Sequence, residues 1–182
     1  MNELNRFFST RKGWIFSLSA AVDRGSDWGV PDLFFLDIEN DSKREGDCFV
    51  FKTQVRGTVL NKDCHIQSGD GIAFYHSKRA QFPPGDEHGK RQRISLMGIV
   101  DECDQRGVDV SHLKVRIPED VYEVIHEEPI VWTPERDEAF VSCGLRDGPV
   151  RAFYPVPSPT WSTFLHDVAD RVEEYTGERP EY

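Results

Sequence analysis

Ser68-Gly69-Asp70-Gly71-Ile72-Ala73-Phe74-Tyr75-His76-Ser77-Lys78, read together with Ile94-Ser95-Leu96-Met97-Gly98-Ile99-Val100-Asp101-Glu102-Cys103, decides the expected fold. The Ser-Gly-Asp-Gly cluster is a turn signal that releases a short apolar run, Ile72 to Tyr75. That run stops at His76-Ser77-Lys78. A second apolar run, Ile94 to Val100, ends at Asp101-Glu102. Two short apolar runs bounded by polar turns predict a pair of strands. The polar segment between them holds Pro83-Pro84-Gly85 and is too long for a tight turn. Connections of that length in compact domains are often functional.

Working outward, Trp14 to Ser19 reads as a first strand and Cys48 to Phe51 as another, with Thr53 to Leu60 extending it or forming the next. Leu113 to Ile117 alternates apolar with Lys114 and Arg116, the period of a half-buried strand. The strands at Trp14, Ile72, Ile94 and Leu113 are expected in one curved, mostly antiparallel sheet. Pro118-Glu119-Asp120 opens a short helix, since proline suits the first helical position and acids suit the N-terminal turn. Trp161, Phe164, Leu165, Val168 and Val172 fall on one face of a final helix that Gly177 stops. Many short strands with a few helices place the chain in the α+β class or among small barrels.

The turn and the first strand pair also carry a family resemblance. Gly69-Asp70, apolar residues, Tyr75-His76-Ser77 and then Gly98-Ile99-Val100 resemble the EVE domain of the PUA-like superfamily, which is related to YTH and ASCH domains. Trp14-Ile15-Phe16 is similar to that family's opening strand, and Val55-Arg56 to its Val-Arg step. Phe153 to Leu165 is similar to its last strand and closing helix. Gly57 stands where the family usually has asparagine, and Ser17-Leu18-Ser19-Ala20 where it often has Lys-Ser-Glu-Pro. The resemblance implies a PUA-like β-pseudobarrel of about five or six strands with flanking helices. It also implies a module that recognises a modified or unusual base in DNA or RNA, without catalysis. Carried over by position, the base pocket would draw on Ser17, Val55, Arg56, Tyr75, His76 and Ser77.

The chain has 182 residues, the size of one domain. It is divided here into a polar segment 1–12, a domain 13–176 and a tail 177–182. A formal net charge of −10 argues against unspecific binding to phosphate backbones. Yet between His76 and Arg93 five cations, Lys78, Arg79, Lys90, Arg91 and Arg93, stand against two acids. They are the expected phosphate contacts. Trp28, beside the Ser26-Asp27 turn, and Phe82, beside Pro83-Pro84, read as loop aromatics suited to a stacking wall. Trp14 and Trp161 read as core.

Other chemistries find little in the pattern. There is no nucleophile elbow, phosphate loop or zinc-protease helix. The four cysteines, Cys48, Cys64, Cys103 and Cys143, show no metal-ligand spacing, and neither do the histidines. No metal or cofactor is expected. No apolar run approaches the ~20 residues of a membrane span, and the opening segment does not read as a secretion signal. Free thiols point to the cytoplasm. Two other classes remain open: an enzyme such as a nuclease or hydrolase using His76, and a protein-interaction or small-ligand module favoured by the acidity.

Overall fold

The computed structural model describes residues 2–18, 27–77, 80, 82, 84–86, 92–145 and 152–181. In chain order the elements are α1 (Glu3–Phe8), β1 (Gly13–Leu18), a 3-10 turn (Asp27–Gly29), α2 (Pro31–Asp41), β2 (Lys43–Glu45) and β3 (Cys48–Thr58). Then come β4 (Gly71–His76), β5 (Arg93–Arg106), β6 (Asp109–Pro118), α3 (Glu119–Glu127) and β7 (Ile130–Val131). A second 3-10 turn (Pro134–Arg136), α4 (Asp137–Ser142), β8 (Phe153–Val156) and α5 (Ser158–Thr176) complete the chain. The class is α+β.

The Gly-Asp turn is a structural junction. Gly69 takes a φ of +91°, a conformation that glycine reaches without strain. Asp70 is buried, and its Oδ2 accepts from the Trp14 indole and from the Gln67 backbone, each at 2.9 Å. Backbone bonds from Gly69 N–H to Val100 O and from Gly71 N–H to Lys12 O tie the turn to both neighbouring strands. So the motif that marks the start of β4 in the sequence also locks β1, β4 and β5 together.

All eight strands among the described residues belong to one sheet, ordered β2-β3-β6-β5-β4-β1-β8, with β7 paired to β5. The strand count thus exceeds the expected five or six, because short β2 and β7 add pairings that hydrophobic periodicity does not reveal. The four expected strands do share this sheet. Their pairings are antiparallel except β1 with β4, which is parallel with Gly13 opposite Gly71. The far end of β3 comes against the opposite edge of the sheet. A Cβ built on Gly57 would lie 2.5 Å from Ala152 Cβ and 2.7 Å from the Phe153 ring.

Strand alternation sorts the core into two clusters. Trp14, Phe16, Leu18, Ile72 and Phe74 face one that includes Trp28, Phe34, Phe51 and Phe153. Ile15, Ala73 and Tyr75 face the other, which α1, α3, α4 and α5 cover with Phe7, Val121, Phe140 and Trp161. The polar opening segment adds two rings to this second cluster. In α1, Phe7 and Phe8 are buried, and the Asn2 side chain caps the helix through Asn5 N–H. The predicted stripe of α5 is buried along its length, and Gly177 ends the helix at a φ of +79°. The charged stretch near Asn40 finishes α2 and forms the edge strand β2, whose three residues are all charged and exposed. Charged edges of this kind discourage pairing with other chains.

Candidate functional site

The ends of β4 and β5 bring together most of the chemistry. His76 pairs with Arg93, Tyr75 with Ile94 and Phe74 with Leu96, so β5 carries one extra residue, Ser95, at a bulge. Ile94 packs in the helix-covered cluster while Leu96 packs in the other. The bulge therefore turns Ser95 onto the face of Leu96 and of His76, as such irregularities re-aim side chains. Ser95 Oγ lies 2.6 Å from His76 Nδ1. On its other side, His76 Nε2 lies 2.9 Å from the carbonyl oxygen of Trp28. The ring is fully buried and packs edge-on to Phe34.

Beside this pair, Arg93 opens β5 with a side chain only 4% exposed. Its Nη1 is 3.0 Å from Asp86 Oδ1, and its guanidinium lies 4.5 Å from the centre of the Phe82 ring. Over Ser95 and Arg93 sits a cavity of about 420 Å³, walled by Pro31, Asp32 and Phe35 from α2, by Asp86 and by Ile125 and His126 from α3. Phe35 packs on His126 with ring centres 4.4 Å apart. The volume falls within the roughly 300–1,000 Å³ of small-ligand sites.

Burial holds His76 neutral. It pushes the pKa down from 6.5 to about 4, opposed by the hydrogen bond to Trp28 and by Asp86 and reinforced by Arg93. The unfolded chain then takes up this proton first. The stabilisation is complete above pH 6.5, declines as the pH falls toward 4 and is lost below it. The span amounts to about 3 kcal/mol. Denaturant unfolding of wild type and His76→Gln across pH 7 to 4 is expected to give a visibly flatter profile for the variant. Parallel profiles would show that His76 does not carry this dependence.

The residues expected to line a base pocket separate into several places. His76, Phe82 and Arg93 do converge. Arg93, though, is not an exposed loop cation: β-pairing buries it, and Asp86 with Phe82 engages it. Trp28 is not a loop aromatic either. It sits in a 3-10 turn, 6% exposed, with ring centres 5.1 Å from Phe34 and 6.0 Å from Phe51. Its contribution near the cavity is its carbonyl and not a ring face. Tyr75 and, by alternation, Ser17 point to the helix-covered side; Tyr75 donates its hydroxyl to Gln92, and burial raises its pKa. Val55 is core and Arg56 is exposed, both at an irregularity in β3, and neither lines the cavity. Ser77 follows β4, its carbonyl accepting from Ala80 N–H. Lys78, Arg79, Lys90 and Arg91 lie outside the described residues.

Ser95, Phe35, Asp32, Asp86 and His126 escaped the sequence reading. A signal existed for two of them. Ser95 is the polar residue in the apolar run from Ile94 to Val100, and Phe34-Phe35 places two adjacent rings on a helix, where neighbours point to different sides. Among the described residues no three His, Cys, Asp or Glu side chains gather as a metal site would require. Compared with protein-family models, with characterised proteins and with solved structures, the chain finds no match.

Proposed function

We propose that this chain binds nucleic acid by receiving one modified or unusual base in the cavity at the ends of β4 and β5, on a PUA-like pseudobarrel. The observation that carries the reading is the cavity itself. It joins an aromatic wall, Phe35 against His126, to buried polar groups at Ser95 and Arg93. A base needs flat walls for stacking and fixed polar groups at its edge. The pseudobarrel part draws support from the close approach of Gly57 on β3 to Phe153 on β8, which curls the sheet back on itself. Lys78, Arg79, Lys90 and Arg91, in the segment leading from β4 to β5, supply the phosphate contacts of this reading.

The reading is one of binding without catalysis. A general base works best with a pKa near the operating pH, and His76 at about 4 is a weak one. We place the protein in the cytoplasm. All four cysteines are free thiols, as a reducing compartment favours. No helix among the described residues is long and apolar enough to cross a membrane.

Anisotropy titrations with short single-stranded oligonucleotides, varied at one position among ordinary and modified bases, test the proposal. Affinity is expected to depend on the identity of that base. Phe35→Ala is expected to weaken the best binder by roughly 5- to 150-fold, the loss of about 1–3 kcal/mol of stacking. Phe35 is only half-buried, so the fold should survive the change. Affinity that is indifferent to the base, or unaffected by Phe35→Ala, would refute it.

A further inference from the structure

The partners of His76 determine the polarity of a hydroxyl on the cavity wall. A carbonyl oxygen only accepts, so Nε2, at 2.9 Å from Trp28 O, carries the ring proton. Nδ1 of the neutral ring is then bare. Ser95 Oγ, 2.6 Å from Nδ1, must spend its one proton there. The opposite assignment would set the Nε2 lone pair against the carbonyl lone pair inside the core, where unmatched polar atoms are costly. With its proton committed, Ser95 keeps only lone pairs. It is 1% exposed and lines the cavity, so it offers a desolvated acceptor in a set orientation. Asp32 and Asp86 add carboxylate oxygens to the same wall. The arginine of the wall, Arg93, is engaged by Asp86.

We propose that the cavity selects bases carrying an exocyclic amino group, whose N–H donates to Ser95 Oγ. The proposal rests on the base-binding reading above and names its chemical preference. A base of the same outline without the amino group leaves the Ser95 acceptor buried and unanswered. A hydroxyl free to rotate would tolerate either kind of base, but the relay from the Trp28 carbonyl through His76 removes that freedom.

The test uses matched pairs in one otherwise identical single-stranded oligonucleotide: adenine against unsubstituted purine, cytosine against 2-pyrimidinone, and guanine against hypoxanthine. Each pair differs by one amino group. In at least one pair the amino member is expected to bind roughly tenfold more tightly, and Ser95→Ala is expected to erase most of that ratio. Equal binding within every pair, or a ratio that survives Ser95→Ala, overturns the proposal while leaving base binding in place. Failure of all the oligonucleotides to bind removes both. A second measurement needs neither ligand nor variant. Nitrogen-15 spectra of the imidazole are expected to show Nε2 protonated and Nδ1 bare in His76. A proton on Nδ1 would reverse the relay and overturn the proposal.

Discussion

Trp28→Ala is expected to lower the free energy of unfolding by about 3–5 kcal/mol, the cost of deleting a large aromatic from a packed interior. The ring is nearly enclosed, with Phe16, Phe34, Phe51 and Phe74 around it. Its indole N–H donates to Asp37 of α2 at 2.9 Å, so truncation also breaks a link between the 3-10 turn and the helix that follows. The same residue's carbonyl holds His76, and loosening the turn weakens that partner too. Equilibrium denaturation with an unchanged slope and a lower midpoint is the expected readout. A loss below about 1 kcal/mol would mean that Trp28 behaves as a surface residue.

Trp161→Ala is expected to cost a similar amount, about 3–5 kcal/mol, for a different geometric reason. The indole lies across the glycines at the paired starts of β1 and β4. A Cβ added at Gly13 or Gly71 would stand 2.0 Å from ring carbons of Trp161. The indole N–H donates to Thr10 Oγ1 at 3.0 Å, which fastens α5 to the segment after α1. Gly71→Ala in the wild type therefore forces the ring away, an overpacking cost of about 1–3 kcal/mol. In the Trp161→Ala background the added methyl meets empty space, and most of that cost should disappear. A double-mutant cycle should show a coupling of at least about 1 kcal/mol between the two positions. Additive costs would mean that the glycines matter for backbone conformation and not for seating the ring.

These two tryptophans show where sequence reading succeeds. Trp161 is legible because its neighbours Phe164, Leu165, Val168 and Val172 repeat at helical spacing, and a repeated stripe announces a buried face. Trp28 has no such repeat. Its sequence neighbours are turn formers, and its burial comes from α2 and β3, which bring Phe34 and Phe51 around it. The cations tell the same story. Arg93 stands beside Arg91 in sequence and looks equivalent to it, yet strand pairing places Arg93 inside.

What the sequence determined by itself is local: the Gly69-Asp70 turn, the apolar run of β4, the alternation in β6, the stripe and the stop of α5, and the α+β class that follows from them. These depend on the conformational preferences and periodicity of neighbouring residues, which are written in order along the chain. The tertiary structure alone decided the site. Ser95 reaches His76 because β5 carries one more residue than β4 across their pairing. The Trp28 carbonyl and the Phe35 wall arrive from a turn and a helix separated from both strands in sequence. Register and long-range packing follow from the simultaneous fit of all the strands and helices, and no window of neighbouring residues encodes that fit.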